Sequence, residues 1–205
     1  MARRLHIHPE NPHKRLIDQA AQSLREGGLW LVPGDSGYAF VFTLDAREAA
    51  ERVTRIRALG PRHDFSLLCA DIRQLGQYTR LDDAAFRFVR THGSGDYTYI
   101  LPASPRVPKR IATEKRRSIG VRMPRHPVSR MLLEAVGEPL LSSSAKLPGH
   151  EEHSLDSEEW WELLEHRIDG FLDADACPED PSTVVSMLEV PYKLIRAGRG
   201  EVDWT

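Results

Sequence analysis

Apolar residues recur at helical spacing over residues 12–26, where Leu16, Ile17, Ala20, Ala21 and Leu24 share one stripe. Asn11 is the expected N-cap, Pro12 suits the first helical position, and Gly27-Gly28 stops the helix. The period then shortens. Residues 29–32 form a continuous apolar run broken by Pro33-Gly34, and 38–43 read as a second strand. Asp45 is expected to cap a helix to about residue 59, with Ala49, Ala50, Val53 and Ile56 inward. Strands are predicted over 65–69, 97–101, 118–123 and 139–143, and helices over 71–78, 82–91 and 126–136. Asp156 and Glu159 have the spacing of a capping box ahead of another helix, in which Trp160-Trp161 should put at least one indole into the core. Residues 171–172, 183–187 and 192–196 are late strands. The alternation is irregular and many links are hairpin-sized, so the prediction is an α/β fold, a mixed sheet with helices on its faces.

Length and composition narrow this picture. A chain of 205 residues suits one domain, with a core over about 12–200 and an N-terminal arm over 1–10. No apolar run approaches the roughly 18 residues of a membrane helix. The start, Met-Ala-Arg-Arg-Leu-His, lacks the apolar segment of a signal peptide, and a cytoplasmic location is expected. Cys69 and Cys177 are expected to be free thiols. The net charge of −2 argues against a nucleic-acid partner, but it is an average over two opposed segments. Residues 106–130 carry nine Lys or Arg and one acid, a balance of +8, whereas residues 151–180 carry twelve acids and one Arg, a balance of −11. The basic segment is expected to line a site and its rim, and the acidic one to lie on the outer surface.

Three segments could carry chemistry. Pro33-Gly34-Asp35-Ser36-Gly37-Tyr38 sits between two apolar strands and suits either an anion-binding loop or an ordinary β-turn. Ser142-Ser143-Ser144-Ala145-Lys146 follows a buried strand, with hydroxyls and a cation that could meet phosphates, although no Walker pattern is present. Arg116-Arg117 and Arg122-Met123-Pro124-Arg125 suit polyphosphate, a nucleic-acid backbone or a solvated basic surface. Strand alternation puts Arg122 opposite Val121 and Met123. His6/His8 and His150/His153 have metal-like spacings without a fixed partner, so no metal site is assigned.

Taken together, the segments GGLWLVPGDSGYAF, RVTRIRALGPRHDFSLLCADI, SGDYTYILPAS, KRRSIGVRMPRHP, GEPLLSSSAKLPG, PSTVV and LIRAGRGEV resemble the YrdC/YciO family, the threonylcarbamoyl-AMP synthase family, and most closely its YciO branch. The resemblance implies a twisted mixed β-sheet flanked by helices, with a concave, positively charged cleft. It implies synthesis of threonylcarbamoyl-AMP from L-threonine, bicarbonate and ATP for tRNA modification, with Mg²⁺ bridging phosphate oxygens, and binding of double-stranded RNA. Carried over by position, Arg57, Arg122, Ser142, Ser144 and Arg196 are the nucleotide and phosphate contacts, and Ser36 and Tyr38 the small-substrate contacts. RNA would fall to Lys109, Arg110, Lys115, Arg116, Arg117 and Arg125. No catalytic residue is assigned.

The chain departs from the family pattern at the same site. Gly34 replaces a threonine, Leu59 stands where the second cation of a Lys-x-Arg pair belongs, and Lys146 replaces an asparagine. The expectation is an anionic ligand with weakened synthase activity. The alternative is an RNA- or tRNA-binding module with a degenerate active site.

Overall fold

The computed structural model describes residues 1–60, 65–111, 117–150, 155–175, 177–178 and 180–204. Its strands are β1 (Arg3–His6), β2 (Trp30–Gly34), β3 (Gly37–Thr43), β4 (Ser66–Leu68), β5 (Tyr97–Pro102), β6 (Ser118–Arg122), β7 (Leu140–Ser144), β8 (Gly170–Asp173), β9 (Thr183–Ser186) and β10 (Lys193–Arg196). Its helices are α1 (Lys14–Arg25), α2 (Arg47–Ile56), α3 (Ile72–Tyr78), α4 (Asp83–His92), α5 (Pro127–Val136) and α6 (Ser157–Leu164). The strands form one mixed sheet in the order β1-β8-β2-β3-β7-β4-β6-β5-β9-β10.

Strand alternation divides the apolar residues between the two faces. Leu31, Phe40, Phe42, Leu67, Tyr99, Val121 and Leu141 point to one face, where α2, α3, α4 and α6 add Val53, Leu75, Val89 and Leu164. Trp30, Val32, Val41, Leu68, Leu140 and Leu172 point to the other, against Ile17 and Leu24 of α1 and Val128 and Leu132 of α5. Each fully buried side chain of this size stabilises the fold by roughly 1.5–3 kcal/mol. Close packing at the second face requires Gly170, since a Cβ there would sit 2.4 Å from the Trp30 ring.

The observed elements differ from the sequence pattern mainly at their ends. Residue Asn11 does not cap α1; its backbone N–H instead donates to His8 Nδ1, and the N-cap is His13 without a side-chain bond. Pro12 therefore precedes the helix. Asp45 does not cap α2 either, because the N-cap is Ala46 and the Asp45 side chain is solvent-exposed. Asp71, Asp82 and Asp156 do cap α3, α4 and α6, the last in a capping box with Glu159. Trp160 is buried. Pro33-Gly34 does not break β2: the strand continues through both residues, pairing Pro33 with Tyr38 and Gly34 with Gly37. Gly37 takes φ of 89° at this turn, a conformation that favours glycine.

Residues of the expected N-terminal arm form β1, which pairs in parallel with β8 at the sheet edge. What fastens it is Asp173, whose side chain is inaccessible to solvent. Its carboxylate accepts from Arg4 Nε at 2.9 Å, Ser157 Oγ at 2.6 Å and the Asp175 N–H at 3.1 Å, and lies 3.2 Å from His6 Nδ1. Arg4 also reaches Glu158 at 2.6 Å. Burial alone would raise the Asp173 pKa, but the bonds from Ser157, Arg4 and the Asp175 amide, with the Arg4 charge, outweigh it and hold the carboxyl below its usual range.

A depressed native pKa stabilises the fold above the ordinary aspartate value, near 3.9, and that contribution disappears as pH falls through the native value. Asp173→Asn should therefore cost roughly 3 kcal/mol at neutral pH. Urea midpoints measured against pH should show the two proteins converging in acid. Equal midpoints at neutral pH would remove Asp173 from this role.

Candidate functional site

The second sheet face is covered only in part. Where α1 and α5 stop, its large apolar residues give way to small and hydroxylated ones on the same strands and in the same alternation. On β3, Val41 is followed on this face by Ala39; on β7, Leu140 by Ser142 and Ser144; on β4, Leu68 is preceded by Ser66. Ala39 is opposite Ser144, and Ser142 is opposite both Val41 and Ser66. This patch floors a cleft of about 1190 Å³. Its other walls include Gly34, Asp35, Ser36, Tyr38, Arg57, Arg122, Ser143, Lys146, Ser182 and Arg196.

All seven residues expected to contact nucleotide or small substrate line this one cleft: Ser36, Tyr38, Arg57, Arg122, Ser142, Ser144 and Arg196. They come from six segments spread over 160 positions of the chain. Arg122 leaves the end of β6 on the face opposite buried Val121 and Met123. Its Nη2 donates to Ser36 Oγ at 3.1 Å. Burial lowers its pKa; the Asp35 charge opposes this, and the neighbouring Arg199 and Arg196 add to it. No carboxylate among the described residues pairs with Arg122 within 4 Å. Arg196 likewise donates to the Ser182 carbonyl, at 3.1 Å from Nε and 2.8 Å from Nη2, rather than to an acid.

The hydroxyls differ in availability. Ser142 is buried and donates to the Ser66 carbonyl at 3.3 Å, whereas Ser144 is exposed to the cleft. Ser143, on the opposite face of β7, accepts from Arg57 Nη1. Arg57 follows α2, and its Nε also approaches the Lys146 carbonyl at 3.4 Å. Burial lowers the Arg57 pKa.

Two polar side chains of the 33–38 segment are turned inward. The Asp35 carboxylate accepts the backbone N–H groups of Arg125 and His126 at the start of α5, so it is spent on holding that helix in place. The Tyr38 hydroxyl donates to the Asp175 carbonyl at 3.1 Å and accepts the Ala174 N–H at 3.0 Å. Burial pushes its pKa upward. Tyr38 thus offers the cleft its ring and fixes the backbone after β8.

Charge is not divided as the sequence segments suggest. Of the basic segment, Arg122 lines the cleft, while Lys109, Arg110, Arg117 and Arg125 do not. Arg110 binds the Leu44 carbonyl, and Arg125 pairs with Asp96 at 2.6 Å. Lys115, Arg116 and His153 lie outside the described residues. The acidic segment is not confined to the outer surface: Asp156, Glu158 and Asp175 line the cleft at its other end, with Arg4 and His6. Sequence reasoning missed Arg4 and Ser182 as wall residues, and it named Ser143 only within the 142–146 run. Ser182 was visible in the PST run, but Arg4 reaches the cleft only through a pairing between β1 and β8 that no local pattern announces.

A model of the Sua5/YciO/YrdC family, described as telomere recombination, matches residues 22–198. The protein YciO of Escherichia coli strain K12 is 40% identical over 202 residues, covering 98% of each chain. The crystal structure of E. coli YciO superposes with a TM-score of 0.93 over 99% of this chain and 98% of that one. A threonylcarbamoyl-AMP synthase from Stenotrophomonas maltophilia is 33% identical over 162 residues, 78% of this chain and 86% of its own length. The structure of P. abyssi Sua5 complexed with L-threonine, 24% identical, shares the fold with a TM-score of 0.85 over 95% of this chain and 57% of that one.

Arg122 costs the fold desolvation that the Asp35 and Asp96 charges offset only in part, and no acid among the described residues pairs with it. Arg122→Met should leave the thermal midpoint unchanged or raise it by up to about 1 kcal/mol of stability. Inorganic pyrophosphate should raise the wild-type midpoint, and the same change should abolish that rise. A variant that loses several degrees without ligand would show that Arg122 serves the fold.

Proposed function

The chain belongs to the Sua5/YciO/YrdC family, and on that footing we propose that its cleft binds ATP together with a small amino acid such as L-threonine and performs threonylcarbamoyl-AMP synthase chemistry. The overall reaction joins threonine, bicarbonate and ATP and releases threonylcarbamoyl-AMP, pyrophosphate and water. The observation that carries this reading is Arg122: a partly buried cation in the cleft wall, bonded to a hydroxyl and, among the described residues, to no acid. Such a group suits an anionic ligand, because the ligand supplies the missing counter-charge.

The chemistry makes that demand twice. The carbamate oxygen formed on the amino acid must attack the α-phosphorus, so two anions have to be held together. Arg57, Arg122, Arg196, Ser142 and Ser144 would hold the nucleotide phosphates, and Ser36 with the ring of Tyr38 would bound the amino acid. Mg²⁺ would enter on the phosphates, since no group of three or more metal-binding side chains occurs among the described residues. The departures from the family pattern bear on rate. Gly34 offers no hydroxyl, and Leu59 packs against the apolar core and offers no charge. Turnover slower than that of the synthase relatives is expected. A cytoplasmic location belongs to the same proposal; no helix among the described residues is long and apolar enough to cross a membrane.

A second reading has its own observation. Lys109, Arg117 and Arg125 are exposed and stand outside the cleft. With Arg110, Lys115 and Arg116, they would form an RNA- or tRNA-binding surface that works without turnover. Backbone binding of that kind weakens steeply with salt.

The expected outcome is pyrophosphate release that needs ATP, L-threonine and bicarbonate together. Ser144→Ala should weaken ATP about tenfold, or 1.4 kcal/mol. Arg116→Ala should weaken duplex RNA and leave ATP unchanged. ATP binding by the folded protein with no release above a boiled control would transfer the assignment to the binding module. RNA affinity that is absent at low salt, or indifferent to salt, would exclude the RNA surface.

A further inference from the structure

The proposed reaction has a proton to dispose of. An amino acid arrives as its ammonium, and joining that ammonium to bicarbonate gives a carbamate, a water and a proton. The residues assigned to the reaction are arginines, serines and Tyr38, whose phenol is pushed upward by burial. Asp35 is engaged by the Arg125 and His126 amides. The side chain that most often accepts a proton near neutral pH is histidine. Among the described residues, His6 and His150 line the cleft.

His6 is the one that faces a buried carboxylate. The pairing of β1 with β8 sets it opposite Asp173, whose side chain is inaccessible to solvent. Arg4, Ser157 and the Asp175 N–H hold that carboxylate in place, and its Oδ2 lies 3.2 Å from His6 Nδ1. An acceptor beside Nδ1 favours the tautomer with its proton on that nitrogen and leaves the lone pair on Nε2. The His6 side chain is 71% exposed, and its Nε2 has no hydrogen-bond partner among the described residues. His150 has no such carboxylate among the described residues; its N–H donates to the Leu147 carbonyl.

The place of His6 in the cleft suits the amino acid. The Ala174 N–H, next in the chain to Asp173, donates to the Tyr38 hydroxyl at 3.0 Å. The Tyr38 hydroxyl in turn donates to the Asp175 carbonyl. The turn between β2 and β3 therefore touches Arg122 through Ser36 on one side and the end of β8 through Tyr38 on the other. A small substrate held against Ser36 and Tyr38 has the Arg122 guanidinium on one flank and the His6 imidazole on the other.

Resting on the synthase reading, we propose that His6, oriented by Asp173, is the general base that takes the proton from the amine of the small substrate. An N–H bond breaks, its electron pair stays on the amine nitrogen, and the proton goes to Nε2. The nitrogen then bonds to the bicarbonate carbon. A carbon–oxygen bond of bicarbonate breaks, and the hydroxide released takes a second proton from the nitrogen and leaves as water. The imidazolium returns its proton to solvent. Other charged or titratable groups of the cleft wall at this end are Arg4 on β1, Asp156 and Glu158 at the start of α6, and Asp175 and Cys177 after β8. Arg4 is paired with Asp173 and Glu158, and Asp156 caps α6.

The test is pyrophosphate release against pH by the full chain with ATP, L-threonine and a fixed bicarbonate concentration, for wild type, His6→Gln and His150→Gln. Calorimetric ATP affinities and thermal midpoints accompany it. His6→Gln should lower kcat about a hundredfold near neutral pH, the lower range for a lost general base, with ATP affinity and midpoint unchanged. The deficit should shrink as pH rises to where the threonine amine loses its proton to solvent, and added imidazole should restore part of the rate. His150→Gln should keep the wild-type profile. A His6→Gln protein with the wild-type rate and profile, or with a deficit that neither pH nor imidazole changes, would overturn the base and leave the synthase reading intact. Appearance of these effects in His150→Gln instead would do the same. A midpoint several degrees lower in His6→Gln would assign His6 to the fold and overturn the proposal. A wild type that binds ATP and releases no pyrophosphate at any pH would overturn the synthase reading and this step with it.

Discussion

The site depends on how far two helices reach across a sheet. Once the strands are hydrogen-bonded in register, every second residue must face the side that α1 and α5 cover. Those helices bury Trp30, Val32, Val41, Leu140 and Leu172 and then stop. Positions further along β3, β4 and β7 stay on that face without that cover, and Ala39, Ser66, Ser142 and Ser144 occupy them. Large apolar side chains there would leave a surface prone to association. Small polar ones leave a flat, hydrogen-bonded floor on which a ligand can come close to the backbone. The rigidity of the site is therefore the rigidity of the sheet, and its shape follows from where the second layer ends.

Charge is placed on this floor with little internal neutralisation at the Arg122 end. Asp35, the nearest acid in sequence to Ser36, is occupied by the Arg125 and His126 N–H groups just ahead of α5. Asp96 is taken by Arg125 and Arg199. Both aspartates lower the local potential at Arg122 without pairing with it. The opposite end of the cleft differs: Arg4 is saturated by Asp173 and Glu158, and that network serves to tie β1 and α6 to the sheet edge. Two arginines in one cleft thus differ in their pairing: carboxylates hold Arg4, and among the described residues none lies within 4 Å of Arg122.

Much of this was legible in the sequence, for physical reasons that can be traced. The hydroxyl run after a buried strand, and the alternation of Arg122 with Val121 and Met123, depend on a period of two that survives any global arrangement. The family motifs supplied the rest of the expected contacts, and the fold brings those residues into one cleft. What could not be read was long-range. The pairing of β1 with β8 joins residues more than 160 positions apart, so Arg4 and His6 gave no sign of reaching the cleft. The inward turn of Asp35 was not legible because its partners, the Arg125 and His126 amides, lie 90 and 91 positions away. The charge segments misled in the same way. A run of basic residues has one sign along the chain, but the sheet and loops send Arg122 inward while Arg110 turns to the Leu44 carbonyl and Arg125 to Asp96.

The central claim is that this cleft was built for an anionic nucleotide meeting a small acid. Calorimetric titration of ATP, with and without saturating L-threonine, addresses it most directly. The account predicts ATP binding in the presence of Mg²⁺, with an affinity that shifts when threonine is present. A folded protein that gives no heat with ATP under either condition would contradict it.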